Sequence, residues 1–389
     1  MASILERQDG NAIQQAFRAL TSPLEDDNCE SNVGQRGIMN SDRMRLAQFG
    51  VGRWGQHLLR NFLTLPAIEV VAVVEPRAEQ HSLIRHQFHL PASVLLTADP
   101  QQVLHDNRVD AVAIATPAAT HYDLIKTALE NGKHVLAEKP LTLDVGECEE
   151  LCELAASKGR QLVIDHTYLF HPVVQTGQTV LAAHPLGTLR YGYATRTNLG
   201  PVRPDVDALW DLAIHDVAIF NHWLGETPIA VSAQGQVWLQ SDRAANPHFL
   251  QGLADVAWLR LFYPSGFQAT IHVSWANPDK QRRLGLVGDY GTLIFDEMQS
   301  EAPLVLQKGT FNPQGLYFVP ADLERQVIDI PSGEPLKQVC QHFVDCAIQQ
   351  QDSSISSGQV GTDLVRILVA LSRSLNADGK RVELADDWA

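Results

Sequence analysis

The sequence predicts an α/β chain in two parts, a doubly wound parallel sheet followed by an α/β domain with a large, mostly antiparallel open sheet. Three observations carry this expectation. From residue 44 to about 166, short and nearly continuous apolar runs alternate with helical periodicity, as in strands covered on both faces. After about residue 167, consecutive runs alternate apolar with polar residues between turns, as antiparallel strands do when one face is covered. A length of 389 residues is also too great for one ordinary core, so domains are expected over 44–166 and 167–389.

Strands of the first part are expected at 45–50 (RLAQFG), 69–75 (EVVAVVE), 110–116 (DAVAIAT), 134–138 (HVLAE) and 161–165 (QLVID). The clearest intervening helix opens on Thr120 and Asp123, a capping-box-like pair. It carries a stripe of Leu124, Ile125, Ala128 and Leu129 and stops at Asn131-Gly132. In the second part the alternating runs are 188–197, 230–240, 254–263, 266–275, 282–288 and 291–297. Two helices follow, around 335–350 and 360–376, the latter with Leu364, Ile367, Leu368, Leu371 and Leu375 on one face. Residues 1–43 are polar and dotted with glycine, with a short helical hint at Ile13, Phe17 and Leu20, and read as a mobile extension.

Composition narrows the function. Apolar residues make up 45% and charged residues 19%, a globular balance, and no apolar run approaches the length needed to cross a bilayer. A net charge of −15 opposes a phosphate backbone, so no nucleic-acid partner is expected. The opening MASILERQDG brings in an acid and polar groups before an apolar segment builds up, which argues against a secretory signal and for a cytoplasmic location. Five cysteines are scattered without a C-x-x-C pair; Cys148 and Cys152 stand four apart with no further ligands nearby, so no metal is expected and reduced thiols are.

The stretch FGVGRWGQHLLRNF (49–62) places Gly50, Gly52 and Gly55 between a strand and a helix carrying Leu58, Leu59, Phe62 and Leu63. In a Rossmann domain the first such glycine allows a tight turn, the second lets the backbone approach a pyrophosphate, and the third lets helix and strand pack closely. The phosphates then face the helix N-terminus. Glu75 follows Gly55 by twenty residues at the end of the next strand, the interval at which a carboxylate reaches the ribose hydroxyls of an adenosine. It would repel a 2′-phosphate, which favours NAD; Arg77 and Arg53 are able to pair with such a phosphate and leave NADP open.

Two further stretches carry chemistry. In AEKPLT (137–142), Lys139 stands at the end of a parallel strand, where doubly wound sheets place ligands, and Pro140 fixes how it leaves. In ALWDLAIHDVAIFNHWLG (208–225), Trp210, Ala213, Ile214, Val217 and Phe220 form an apolar stripe, with Asp211 and His215 four apart beside it. A carboxylate-oriented imidazole with a pKa near neutrality is what removing a proton from an alcohol requires.

From about Met44 to Leu384 the chain resembles the Gfo/Idh/MocA oxidoreductase family. The resemblance rests on GVGRWG (50–55), ATPAATH (115–121), AEKPLT (137–142), DHTYLF (165–170), Asp211 with His215, SWANPDKQRR (274–283), VGDYGTLIFDE (287–297) and GKRVEL (379–384). It implies hydride transfer between NAD(P) and a hydroxyl or carbonyl carbon of a sugar, sugar nucleotide or related polyol. Lys139, Asp211 and His215 are the implied catalytic residues. His215 or Lys139 would take the proton, and Asp211 would fix the imidazole tautomer. The implied cofactor set is Gly50, Gly52, Arg53, Trp54, Gly55, Glu75, Arg77, Thr116, Pro117, His121, Glu138 and Lys139, with a cis peptide at Lys139-Pro140.

The loop NLGPVRPDVDALWDL (198–212), together with DHTY (165–168), looks most like members acting on sugar nucleotides or amino-sugar derivatives, and His166, Tyr168, Asn198 and Arg203 would face the substrate. Ile214 stands where proline is expected just before the histidine. Two other activities fit the same motifs: an NAD-dependent glycosidase working by transient oxidation, and an inactive NAD-binding regulator. The uncovered face of the second sheet, with the resemblance, implies a homodimer or homotetramer formed through it.

Overall fold

The computed structural model describes residues 43–241 and 248–384. The extension read over residues 1–43 therefore lies outside the described residues, Arg43 excepted. Among the described residues the strands form two sheets, one of six strands and one of nine.

The six-stranded sheet runs β3-β2-β1-β4-β5-β6. Its strands are β1 (Met44–Phe49), β2 (Ile68–Val74), β3 (Leu95–Thr97), β4 (Ala111–Ile114), β5 (His134–Glu138) and β6 (Leu162–Asp165). Every neighbouring pair is parallel. All four residues of β4 are buried, as its unbroken AVAI run requires of a strand with helices on both faces. The helix Gly55–Phe62 lays Leu58, Leu59 and Phe62 on the core. The three-residue β3 escapes the sequence pattern because it is too short to show a period.

The helix expected after Thr120 spans His121–Glu130 with Ile125, Ala128 and Leu129 buried, but the capping box does not form. A 3-10 turn, Ala118–Thr120, precedes it and holds Thr120 in helical conformation. The Thr120 hydroxyl donates back to Pro117 O and Thr116 Oγ1 instead of accepting from the first turn.

The nine-stranded sheet runs β14-β13-β12-β11-β7-β10-β9-β8-β15. Its strands are β7 (Leu189–Leu199), β8 (Ala230–Gln236), β9 (Val256–Phe262), β10 (Gln268–Ser274), β11 (Ala276–Gly288), β12 (Gly291–Asp296), β13 (Leu304–Gln314), β14 (Tyr317–Val327) and β15 (Val382–Glu383). All of its pairings are antiparallel except β7 with β10, so the sheet is mostly antiparallel as expected. Helices Ile214–Leu224, Pro335–Gln349 and Gly358–Asn376 supply the buried apolar residues between the sheets, Phe220, Phe343 and Leu368 among them. On the opposite face Tyr191 and Trp258 remain exposed, with Trp258 stacked on His272 at 5.3 Å.

The hairpin β13–β14 is absent from the sequence reading. Beyond Lys308, β13 pairs only with β14, and the exposed residues of both strands leave no apolar-in, polar-out alternation to read. Pro313 and Pro320 also look like breakers; Pro320 is tolerated because β14 is an edge strand. No described helix is long and apolar enough to cross a membrane.

Candidate active site

The turn after β1 has the geometry its glycines require. Gly50 has φ +81°, and a Cβ there would stand 2.5 Å from the Ala115 carbonyl oxygen. A Cβ on Gly55 would run into the Gly50 carbonyl. Gly52 differs: a Cβ built on it meets nothing within 4 Å, so its backbone borders open space beside the first turn of helix Gly55–Phe62. That turn carries no acidic residue and no side-chain cap, so nothing in it opposes a phosphate at the positive end of the helix dipole. Trp54 is half exposed at the helix start.

Glu75, at the end of β2, is buried and accepts from the Val51 N–H at 3.2 Å and from Arg77 Nε at 2.7 Å. Burial alone would raise its pKa, but Arg77 and these backbone N–H groups outweigh it and hold the carboxyl below its ordinary value. A carboxyl group that favours its ionised form thus stands at the end of β2. Arg77 is engaged by Glu75 and so is not a ready partner for a 2′-phosphate. The fit is to NAD.

His121, expected to line the cofactor, has both ring nitrogens within hydrogen-bond distance of backbone carbonyls. It is buried, with Nδ1 2.9 Å from Pro140 O and Nε2 3.0 Å from Thr116 O, and it ties the end of β4 to the segment after β5. Burial lowers its pKa. The Lys139-Pro140 peptide is cis. Beyond β5, Lys139 Nζ donates to the Asp211 carbonyl at 2.8 Å and to Asp211 Oδ1 at 3.2 Å.

Asp211 lies in a turn of π-helix, Leu209–Ala213, that leads into helix Ile214–Leu224, so the segment read as one α-helix is interrupted at its acid. Its Oδ1 also accepts from Arg203 Nη1 at 3.0 Å, and Arg203 is held in turn by both oxygens of Asp205. Burial would raise the Asp211 pKa, yet Lys139 and Arg203 keep it below the usual value. The expectation that Asp211 orients His215 is therefore corrected. Its carboxylate is committed to two cations, and no hydrogen bond to His215 is found among the described residues.

His215 packs its ring against Tyr168 at 4.9 Å. Burial and the surrounding charges of Lys139, Arg196 and Arg282, with His166, push its pKa well below the ordinary value, not near neutrality as the sequence reading has it. That shift favours the neutral imidazole, which carries one N–H and one lone pair. Behind it, Arg196 forms a buried two-pronged pair with Asp216, at 2.9 and 2.7 Å, and stacks over the Tyr168 ring at 4.3 Å.

The residues expected to face the substrate have protein partners or are buried. Tyr168 donates its hydroxyl to Glu297 Oε2 at 2.6 Å. Asn198 donates to Gly200 O and accepts from Arg282. His166 is only 2% exposed, with no hydrogen-bond partner for either ring nitrogen among the described residues. Glu297 and Arg282 escape the sequence reading of single side chains, although both lie in segments quoted for the resemblance.

The family description "Oxidoreductase family, NAD-binding Rossmann fold" matches residues 44–166, and "GFO/IDH/MocA C-terminal domain" matches 175–294. The chain belongs to the Gfo/Idh/MocA oxidoreductase family. Among relatives of this Gfo/Idh/MocA protein, scyllo-inositol 2-dehydrogenase (NAD(+)) of Bacillus subtilis (strain 168) is 27% identical over 272 residues, 68% of this chain and 77% of the relative. UDP-N-acetylglucosamine 3-dehydrogenase of Acidithiobacillus ferrooxidans is 31% identical over 195 residues, 49% of this chain and 58% of the relative. The crystal structure of a putative oxidoreductase from Magnetospirillum magnetotacticum MS-1 superposes with a TM-score of 0.70 at 29% identity, covering 85% of this chain and 99% of that one.

Proposed function

We propose that this Gfo/Idh/MocA oxidoreductase interconverts a secondary hydroxyl and a carbonyl on a sugar, sugar nucleotide or related polyol, with NAD as hydride carrier. The observation that carries the proposal is the ion-paired Lys139, anchored by Asp211 close to a neutral His215, at the carboxyl end of β5 in the same sheet as the glycine turn. The names of the inositol and UDP-N-acetylglucosamine relatives support a hydroxyl-rich substrate.

Bound NAD supplies the hydride acceptor. The chain's own residues do the rest. An ammonium has three N–H donors; Asp211 takes two from Lys139 and leaves one for the substrate oxygen. That donor stabilises the developing alkoxide in a partly dehydrated site, where it counts for more than in water. Neutral His215 accepts the hydroxyl proton. Arg203, held by Asp205 and Asp211, and Asn198, held by Gly200 and Arg282, have N–H donors beyond those bonds, and these would meet further hydroxyl groups. The exposed face bearing Tyr191 and Trp258 supports assembly as a homodimer or homotetramer.

The test is a spectrophotometric screen of NAD and NADP against inositols, aldoses and UDP-sugars, with Lys139→Ala and His215→Ala as controls. Turnover of one such substrate with NAD, and a loss above about tenfold in each variant (about 1.4 kcal/mol), is the expected result. Turnover unaffected by either variant refutes the assignment.

A further inference from the structure

With the Asp211 carboxylate committed to Lys139 and Arg203, no polar group orients the imidazole that the proposed chemistry uses. Neither ring nitrogen of His215 has a hydrogen-bond partner among the described residues. The terminal torsion of a histidine lies in a broad well, so a ring without hydrogen bonds swings unless packing holds it. A swing takes the lone pair off the substrate oxygen.

What packs on His215 is Tyr168. The two ring centroids lie 4.9 Å apart with the planes at 49°. Tyr168 sits in the 3-10 turn Thr167–Phe170, directly after β6, and is itself held from three directions. Its hydroxyl donates to Glu297 Oε2 at 2.6 Å, just beyond β12. The Arg196 guanidinium, on β7, lies 4.3 Å from its ring centroid. The His171 ring stacks on it, with centroids 6.1 Å apart and planes at 14°. Each of these braces has its own anchor. Glu297 donates its N–H to the Arg282 carbonyl at 2.9 Å. Arg196 is gripped by both oxygens of Asp216. His171 accepts from the Val173 N–H at 3.2 Å as the cap of helix Pro172–Ala182, and packs against Phe295 of β12 at 5.4 Å.

These contacts close on themselves. Asp216 follows His215 in the chain and grips Arg196, Arg196 covers the Tyr168 ring, and Tyr168 bears on His215. A carboxylate bonded directly to the imidazole would occupy one of its nitrogens. Here the carboxylate next in the chain acts at one remove, through an arginine and a tyrosine, and both nitrogens stay open.

We infer that Tyr168 is a positioning residue for His215 and not a group that binds substrate: its ring, braced by Glu297, Arg196 and His171, fixes the plane of the imidazole and leaves both nitrogens free for proton transfer. The kinetic consequence rests on the proposed role of His215; the packing does not. The two parts of the tyrosine have separate tasks. The hydroxyl, on Glu297, sets where the ring stands, and the ring does the holding. Loss of the hydroxyl leaves the stack with Arg196 and His171 in place, whereas loss of the ring frees the imidazole. A displacement of about 1 Å at a reacting group costs about a hundredfold in rate.

The first test needs neither substrate nor cofactor. Nuclear magnetic resonance of histidine-labelled protein, with the His215 ring signals identified by their loss in His215→Gln, is expected to give one set of ring signals with a nuclear Overhauser contact to the Tyr168 ring. Two exchanging sets, or no contact to the Tyr168 ring, overturn the positioning. The second test uses whichever sugar or polyol turns over with NAD. Tyr168→Leu is expected to lose at least about tenfold in kcat with KM within about threefold, and Tyr168→Phe to recover all but about threefold of that loss. A rise in KM shared equally by Tyr168→Phe and Tyr168→Leu, with kcat kept, shows the hydroxyl binding substrate and refutes the inference. If His215→Ala turns over unimpaired, the proposed chemistry fails, and the resonance result still decides the packing.

Discussion

Replacing Asp211 by Asn removes one negative charge and leaves two cations. Lys139 donates to Oδ1 at 3.2 Å and Arg203 at 3.0 Å, while the Lys139 contact to the Asp211 main-chain carbonyl survives. Hydrogen bonds to charged groups contribute about 1.5–3 kcal/mol each. The Asp211 side chain is 21% exposed and the amide oxygen still accepts one bond, so a loss of about 2–4 kcal/mol in transition-state stabilisation is expected. That corresponds to about 30- to 1000-fold in kcat/KM. Steady-state kinetics in both directions over pH, with NAD and the substrate found by screening, read this directly. A variant within about threefold of wild type in both directions would show that Asp211 does not hold the catalytic ammonium in place.

The glycine turn separates folding from binding. Gly50→Ala places a Cβ 2.5 Å from Ala115 O at a left-handed φ and lowers thermal stability, whereas Gly52→Ala meets nothing in the protein, leaves the melting temperature unchanged and weakens NAD binding by calorimetry. Asp216→Ala strands the buried Arg196 guanidinium and costs about 3–5 kcal/mol in urea unfolding; a cost under about 1 kcal/mol would show that the pair is solvated. His134, buried beside Arg160, has its pKa lowered to about 4, so its stability contribution is complete above the unfolded value of about 6.5 and is lost as pH falls toward 4. At pH 5 this amounts to about 2 kcal/mol relative to pH 7, and the stability difference between wild type and His134→Asn is expected to change by that amount.

What the sequence made legible was local. The glycine spacing and the interval to Glu75 follow from one strand–turn–strand unit, and the structure keeps every part of it. Lys139 was legible because a strand end and a proline bracket it. The partners of these groups were not, because they come from afar: Arg203 reaches Asp211 across an irregular loop, and Glu297 reaches Tyr168 from the end of β12. Four-residue spacing put Asp211 and His215 on one face but carried no information about the cations that claim the carboxylate. The hairpin β13–β14 was illegible for a different reason: with both faces exposed, it lacks the burial that writes periodicity into sequence.

The central claim is that Lys139 and His215 act on the same oxygen of one substrate carbon. A crystal structure of the protein with NAD and its turned-over sugar or polyol tests it most directly. The account predicts that oxygen within about 2.6–3.2 Å of both Lys139 Nζ and a ring nitrogen of His215. A substrate whose reacting carbon faces the nicotinamide while His215 stays behind Tyr168, out of reach, would contradict it.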